Sequence, residues 1–160
     1  MDATQAFLAL VSRLRGMPCW SVIVSGVGSL ANLHFGEKIE RDEHLVHVNF
    51  KITPEERVYR GEIIVYLEEC PWRLDGLDSV ICSWMNTTKT IKQGLAQLKG
   101  DVVQDAVVSL PGYDLIIRFE SGHVLRVFPD QVNADEGDNY SVYGDGKTYV
   151  LAANSILYME

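Results

Sequence analysis

The stretch VSGVGSLANLHFG at residues 24–36 decides the fold, because it admits two interpretations. Its glycines suggest a phosphate-binding loop, which has to lead from a strand into a helix whose N-terminus faces the anion. The residues that follow, SLANLHF, alternate between apolar and polar side chains, and this is the pattern of a strand. We therefore predict a turn between two antiparallel strands, with Gly28 supplying a positive φ, and no nucleotide site.

A second copy of this stretch supports the turn. An offset of 84 positions aligns residues 24–36 with VSLPGYDLIIRFE at residues 108–120, where Pro111 and Gly112 fit the centre of a type II turn. Two further blocks align HLVHV at 44–48 with HVLRV at 123–127, and, at an offset of 77, residues 65–74 with 142–151. Constant spacing over three blocks indicates a tandem duplication.

Each predicted repeat begins with an amphipathic helix. Apolar residues recur at i, i+4 and i+7 in both copies, and the pairs related by the offset of 84 are Phe7 and Ile91, Val11 and Leu95, and Leu14 and Leu98. Thr4 and the run 86–88 are candidate N-caps, while Gly16 and Gly100 suit left-handed C-terminal caps.

Short connections follow the helices, so we predict antiparallel strands. The fold class is α+β: a tandem duplication of a helix plus antiparallel β-meander unit, related by a pseudo-twofold axis. Its repeats span 1–84 and 85–160 and pack as one compact unit. The strands are predicted at 20–25, 29–35, 44–50, 61–67, 79–83, 102–109, 113–119, 123–128, 139–143, 147–151 and 155–159.

Alternation sorts the side chains of these strands into two faces. The inward face is predicted to hold ten core residues: Ala31, Leu33, Phe35, Val46, Val48, Leu115, Ile117, Phe119, Leu125 and Val127. The opposite face carries His34, His47, Arg118 and Arg126, which we expect to point outward.

Charge and composition restrict the partner. The 160 residues hold 14 basic and 22 acidic side chains, a net charge of −8 that is split evenly between the predicted repeats. Such a chain repels a phosphate backbone, so we expect a basic partner and no nucleic acid. The chain lacks a long apolar stretch and a signal-peptide pattern, so we expect a cytoplasmic protein that binds no membrane.

Metal and catalytic signatures are weak. His34 and His47, with Cys70 or a carboxylate, could form a metal set in principle, but their spacing matches no known ligand pattern. Cys19, Cys70 and Cys82 are too few and too widely spaced for a disulfide framework and predict buried, reduced thiols. The chain has no nucleophile elbow or activated cysteine, so we expect no catalytic residue, metal or cofactor.

The segment DQVNADEGDNYSVYGDG at 130–146 is the best candidate docking surface, because acidic loops beside aromatic residues suit a basic partner. Its predicted partner-binding residues are Asp130, Asp135, Glu136, Asp138, Tyr143 and Asp145. Trp20, Trp72, Trp84, Tyr143 and Tyr149 could stack on a ligand, but we expect them mainly in the core.

Two stretches, ECPWRLDGLDSVICS at 69–83 and DLIIRFESGHVLRVFPD at 114–130, resemble the bacterial immunity proteins that accompany polymorphic and contact-dependent toxins. The resemblance implies a cytoplasmic, non-enzymatic protein that inhibits a toxin domain, such as a basic nuclease domain, by covering its active surface. An alternative is a small-ligand-binding protein or enzyme that uses the cleft between the repeats, touching Trp72, Tyr143 or Tyr149. Self-association as a homodimer is a third interpretation.

Overall fold

A computed structural model describes residues 2–25, 30–48, 51–133 and 137–160. These residues form three α-helices and eleven β-strands, which confirms the α+β class. The helices are α1 (Ala3–Ser12), α2 (Pro54–Val58) and α3 (Thr88–Leu95). The strands are β1 (Cys19–Val24), β2 (Ala31–Glu40), β3 (Tyr59–Leu67), β4 (Trp72–Asp75), β5 (Val80–Ser83), β6 (Val103–Ser109), β7 (Asp114–Phe119), β8 (Val124–Val127), β9 (Asp138–Gly144), β10 (Lys147–Ala152) and β11 (Ile156–Met159).

The strands form two antiparallel sheets, and each sheet combines strands from both predicted repeats. The six-stranded sheet has the order β1-β2-β3-β9-β10-β11, and the five-stranded sheet has the order β5-β4-β8-β7-β6. The halves pair through β3 and β9 in the six-stranded sheet and through β4 and β8 in the five-stranded sheet. The predicted boundary at residue 84 separates neither the sheets nor the core.

Two backbone hydrogen bonds join the predicted halves, and their residues are related by the offset of 84. The Gly16 N–H donates to the Val103 carbonyl at 2.8 Å, and the Gly100 N–H donates to the Cys19 carbonyl at 2.7 Å. Gly16 and Gly100 both have a left-handed φ, of 84° and 86°. A pseudo-twofold axis between the halves would produce such a pair of equivalent hydrogen bonds. Val65 and Val142, which are equivalent at the offset of 77, are directly paired sheet neighbours, as equivalent residues next to such an axis would be. The duplication itself stays a prediction.

The core lies between the inner faces of the two sheets, closed by α1 and α3. Eight of the ten predicted core residues are buried there: Ala31, Leu33, Phe35, Leu115, Ile117, Phe119, Leu125 and Val127. The prediction is wrong for Val46, which is 67% exposed, and for Val48, which is half-buried.

The predicted strand at 44–50 is wrong over its described residues, 44–48, which form no strand. No place beside β2 is open to them, because β2 pairs with β1 on one side and with β3 on the other, from Ala31 opposite Leu67 onward. The segment instead contacts α2, whose Arg57 guanidinium donates to the Leu45 carbonyl at 2.8 Å. Helix α2 was not predicted, although its sequence carries the signature of a helix N-terminus. Thr53 caps it, Pro54 begins it and Glu56 completes a capping box.

His34 does not point into solvent as predicted, since only 2% of it is exposed. It does lie on the outer face of the six-stranded sheet, opposite Ser21. That part of the face is covered by the segment between β2 and β3, where the Glu56 carboxylate accepts a hydrogen bond from the Ser21 hydroxyl. Alternation correctly gives the face of a side chain, but it does not show what packs over that face.

The predicted helix caps and the turn between β6 and β7 are present, but some of the residues that form them differ from those predicted. Asp2, not Thr4, caps α1, accepting a hydrogen bond from the Gln5 N–H at 2.8 Å. Thr87 caps α3, within the predicted run. A tight turn joins β6 to β7, but its left-handed residue is Tyr113, with φ of 65°, and not Gly112. The matching turn at Val27-Gly28 lies outside the described residues.

Candidate functional site

A groove of about 510 Å³ lies on the outer face of the five-stranded sheet. Its floor is a row of side chains set by strand register. Arg73 of β4 lies opposite Arg126 of β8, and Arg126 lies opposite Ile116 of β7. Because β4 comes from the first predicted half and β7 and β8 from the second, the groove exists only where the halves pair.

Asp75 fixes the two arginines of the floor. Its carboxylate accepts hydrogen bonds from Arg73 Nε at 2.7 Å and from Arg126 Nε at 2.9 Å. The hydrogen bond from Arg73, with a further one from Arg126, holds the pKa of Asp75 below its usual range. Two guanidinium groups thus share one carboxylate, and Asp114, which also lines the groove, supplies a second acidic group that balances their charge.

Aromatic side chains form the walls of the groove. Trp84 follows β5 and is 42% exposed, and Phe128 follows β8 and is 57% exposed. Backbone hydrogen bonds hold both residues in place: the Trp84 N–H donates to the Trp72 carbonyl at 3.0 Å, and the Phe128 N–H donates to the Pro71 carbonyl at 2.8 Å. Two large apolar side chains are therefore held in solvent beside a charged floor.

The aromatic residues considered in the sequence divide between the core and the surface. Trp72 and Tyr149 are buried, as expected, with 2% and 6% of their surface exposed. The core assignment is wrong for Trp84, because β5 ends at Ser83 and the next side chain leaves the sheet. Trp20 and Tyr143 are half-buried on the outer face of the six-stranded sheet. Among the residues proposed for a cleft between the repeats, only Trp72 lines this groove.

The predicted docking residues do not form one patch in the part of the chain that the structure describes. Asp138 begins β9 and Asp145 follows its end, about 20 Å away at the usual rise per residue of a strand. Asp145 pairs with Arg13 at 2.5 Å, and the ring of Tyr143 lies under the Arg60 guanidinium at 4.8 Å. Asp130 is exposed in the loop before β9. Asp135 and Glu136 lie outside the described residues.

Asp138 belongs to an acidic cluster with Glu68 and Glu160 at one end of the six-stranded sheet. Burial, reinforced by the charges of Asp138, Glu69 and Glu160, raises the pKa of Glu68 to about 7. Oxygen Oε2 of Glu68 is buried and has no hydrogen-bond partner within the described parts of the chain. The protonated form of this carboxyl group is therefore populated near neutral pH.

Ser121, His123 and Asp101 lie together, although no sequence motif predicts this. Ser121 Oγ is 2.6 Å from His123 Nδ1, and the Ser121 hydroxyl donates to the Asp101 carboxylate. In a catalytic triad the serine and the aspartate contact opposite nitrogens of the histidine. Here both lie on the Nδ1 side, while Nε2 is 3.2 Å from Gln97 Oε1. The cluster joins two loops and lacks the arrangement that activates a serine.

The histidines and cysteines considered as metal ligands do not form a metal site. Within the described ranges, no group of three His, Cys, Asp or Glu side chains could hold a metal ion. His34 is buried, whereas His47 is exposed. The three cysteines are free and buried, which confirms the predicted burial. Nowhere in the described parts of the chain is a helix both long and apolar enough to cross a bilayer.

Comparisons with known proteins add no assignment to this geometry. No family model, no curated protein and no solved structure matches the chain. The α+β fold therefore defines the class of this protein.

Proposed function

We propose that the protein is a non-enzymatic binding protein whose partner docks on the groove of the five-stranded sheet. The observation that carries this proposal is the exposure of Trp84 and Phe128 in the groove that Arg73 and Arg126 also line. Tryptophan and arginine dominate the few residues that supply most of the binding energy at protein interfaces, and aromatic residues are enriched there.

The partner we propose is a basic protein domain. The net charge of −8 attracts such a domain over long distances, while the aromatic walls of the groove supply short-range contacts. The resemblance to immunity proteins adds the partner's class, a bacterial toxin domain whose active surface the bound protein covers.

The test measures binding of the toxin domain encoded next to this protein's gene, with Trp84→Ala and Phe128→Ala as variants. Each substitution removes an anchor, so we expect the dissociation constant to rise about 30-fold or more. Val46→Ala is the matched control, because Val46 is also exposed but lies between β2 and β3. Absence of any complex, or equal affinity of all three variants, would contradict the proposal.

The acidic loop makes a separate contribution in this proposal. Reversing the charges of Asp130 and Asp138, together with Asp135 and Glu136, should slow association at low salt and leave dissociation nearly unchanged. Stopped-flow kinetics at two salt concentrations measures both rates. Unchanged association would remove this loop from the encounter surface, while the groove would remain to be judged by its own variants.

A small-ligand-binding function is the second candidate, favoured by the volume of the groove. About 510 Å³ falls within the usual range of ligand sites, and both predicted halves line it. A thermal-shift screen against nucleotides, sugars and divalent metals tests this candidate, since a ligand that binds only the native state raises the melting temperature. Trp84→Ala should abolish any shift that arises in the groove.

A further inference from the structure

Two buried hydrogen-bond donors on the six-stranded sheet have no partner among the residues that the structure describes. They are Trp20 Nε1 and His34 Nε2, and the two rings are neighbours with centroids 5.8 Å apart. Buried donors are nearly always satisfied in folded proteins, by protein, water or a ligand. Two neighbouring buried donors that both lack an acceptor therefore point to a common cause.

The contacts of His34 show that its unpartnered nitrogen carries a proton. Its Nδ1 accepts a hydrogen bond from the Gly61 N–H at 2.9 Å, so the proton of the neutral ring is on Nε2. Burial, aided by the charge of Arg41, lowers the pKa of His34 to about 4, and the ring is neutral at physiological pH. Both orphaned groups are consequently N–H donors that need an acceptor.

Two arginines on the same face add donors and no acceptor. Arg41 Nε donates to the Glu56 carbonyl at 3.1 Å, and Arg60 Nη1 donates to the Gly61 carbonyl at 2.9 Å. Neither arginine pairs with a carboxylate anywhere in the described residues. The nearby Glu56 carboxylate is already used, by the Ser21 hydroxyl and the Thr53 N–H. Arg60 contacts the Tyr143 ring at 4.8 Å, but two neighbouring arginines without a carboxylate partner are unexpected in a protein with eight more acidic than basic side chains.

We propose that Trp20, His34, Arg41 and Arg60 form a binding site for the oxyanion group of a small ligand, a carboxylate or a phosphate. An oxyanion accepts several hydrogen bonds at once, and guanidinium groups match its geometry and charge. The two arginine charges exceed that of Glu56 by one, so a singly charged group neutralises the site. The site lies on the other sheet from the groove and does not depend on the proposed function.

The test follows the indole N–H signals in a two-dimensional NMR spectrum of the ¹⁵N-labelled full chain. Sodium acetate and sodium phosphate are titrated separately at constant ionic strength, and the Trp20 signal is identified by its loss in Trp20→Phe. We expect a saturable shift of the Trp20 signal, because its donor gains an acceptor, while the signals of Trp72 and Trp84 stay in place. Saturation by acetate alone assigns a carboxylate, and saturation by phosphate alone assigns a phosphate.

Variants that remove an arginine charge then distinguish binding at this site from a general effect of added salt. Arg41→Gln and Arg60→Gln each remove a charged donor and should weaken binding about tenfold or more. Arg118→Gln is the matched control, since Arg118 is exposed on the five-stranded sheet and its loss should leave the affinity unchanged. The unchanged Trp72 signal verifies that each variant is folded. A Trp20 signal that responds to neither anion, or equal affinity in all three variants, would overturn the proposal.

Discussion

Phe35 and Phe119 stack on each other at the centre of the core, with ring centroids 6.4 Å apart and an interplanar angle of 23°. Phe35 belongs to β2 of the six-stranded sheet, and Phe119 belongs to β7 of the five-stranded sheet. Their exposed fractions are 0% and 1%. Since they are related by the offset of 84, the contact joins equivalent positions of the two predicted repeats as well as the two sheets.

Truncating either ring should strongly destabilise the fold. Phe35→Ala and Phe119→Ala each leave a cavity that the packed sheets cannot close, and we expect each to cost about 3–5 kcal/mol. The double variant should lose less than the sum by about 0.5–1.5 kcal/mol, because the ring contact is counted in both single variants. Urea unfolding followed by fluorescence measures these free energies.

Phe128→Ala is the control for this pair, because the same chemical change at a side chain 57% exposed leaves no cavity. We expect it to change the free energy of unfolding by no more than about 0.5 kcal/mol. A comparable loss at Phe128 and Phe35 would contradict the two-sheet core.

Periodicity in the sequence was enough to predict most of the strands and the central core. Phe35 and Phe119 could be assigned to inner faces because alternate residues of a strand share a face. The same rule failed at Val46, where the alternation is present but β1 and β3 already occupy both sides of β2. Strand formation depends on an available partner, and a local pattern does not contain that information.

The groove could not be predicted for a related reason. Arg73 and Arg126 are 53 positions apart in the sequence and meet only because β4 pairs with β8. Pairing between the halves is set by packing of the whole core, and no local motif marks it. The acidic segment at 130–146 was prominent by composition alone, yet β9 runs through it and separates its charges.

Gly94 is predicted to resist substitution although it lies within helix α3. Alanine favours helix over glycine by about 1 kcal/mol. A Cβ at this position, however, would meet Cys82 Cβ at 2.8 Å and Ile81 Cγ2 at 3.2 Å, besides contacting Cys82 Sγ. Overpacking of this kind usually costs about 1–3 kcal/mol, so Gly94→Ala should lower the free energy of unfolding. Thermal and urea unfolding measure the change.

A matched glycine variant shows whether the effect is steric. Gly112 has no left-handed φ, and a Cβ there meets only Asp114 Oδ1 at 3.4 Å, an ordinary contact. Gly112→Ala should therefore be neutral or slightly stabilising. A stabilising Gly94→Ala would mean that β5 and α3 are farther apart than the structure shows.

The three cysteines should be unreactive in the native protein. Burial raises the pKa of Cys19 and of Cys70 to about 12, and that of Cys82 to about 11, so the reactive thiolate is scarce at neutral pH. We expect iodoacetamide to label none of them in native buffer and all three in urea, as counted by mass spectrometry. Rapid native labelling of one cysteine would place it at the surface.

Glu68 should make the protein less stable as the pH rises. Its pKa is near 4.5 when unperturbed and about 7 in the folded state, because burial, then the charges of Asp138, Glu69 and Glu160, disfavour the carboxylate. Between these values the folded state binds more protons than the unfolded state, so the contribution of Glu68 to stability falls with rising pH. We therefore expect Glu68→Gln, which cannot ionise, to stabilise the protein above about pH 7, with a difference from the wild type that shrinks to nearly zero by about pH 4.

Urea unfolding across this range measures the difference, and Glu43→Gln, at an exposed carboxylate between β2 and β3, is the control. A difference that stayed constant with pH, or matched that of Glu43→Gln, would mean that Glu68 is solvated and ionised in the folded protein.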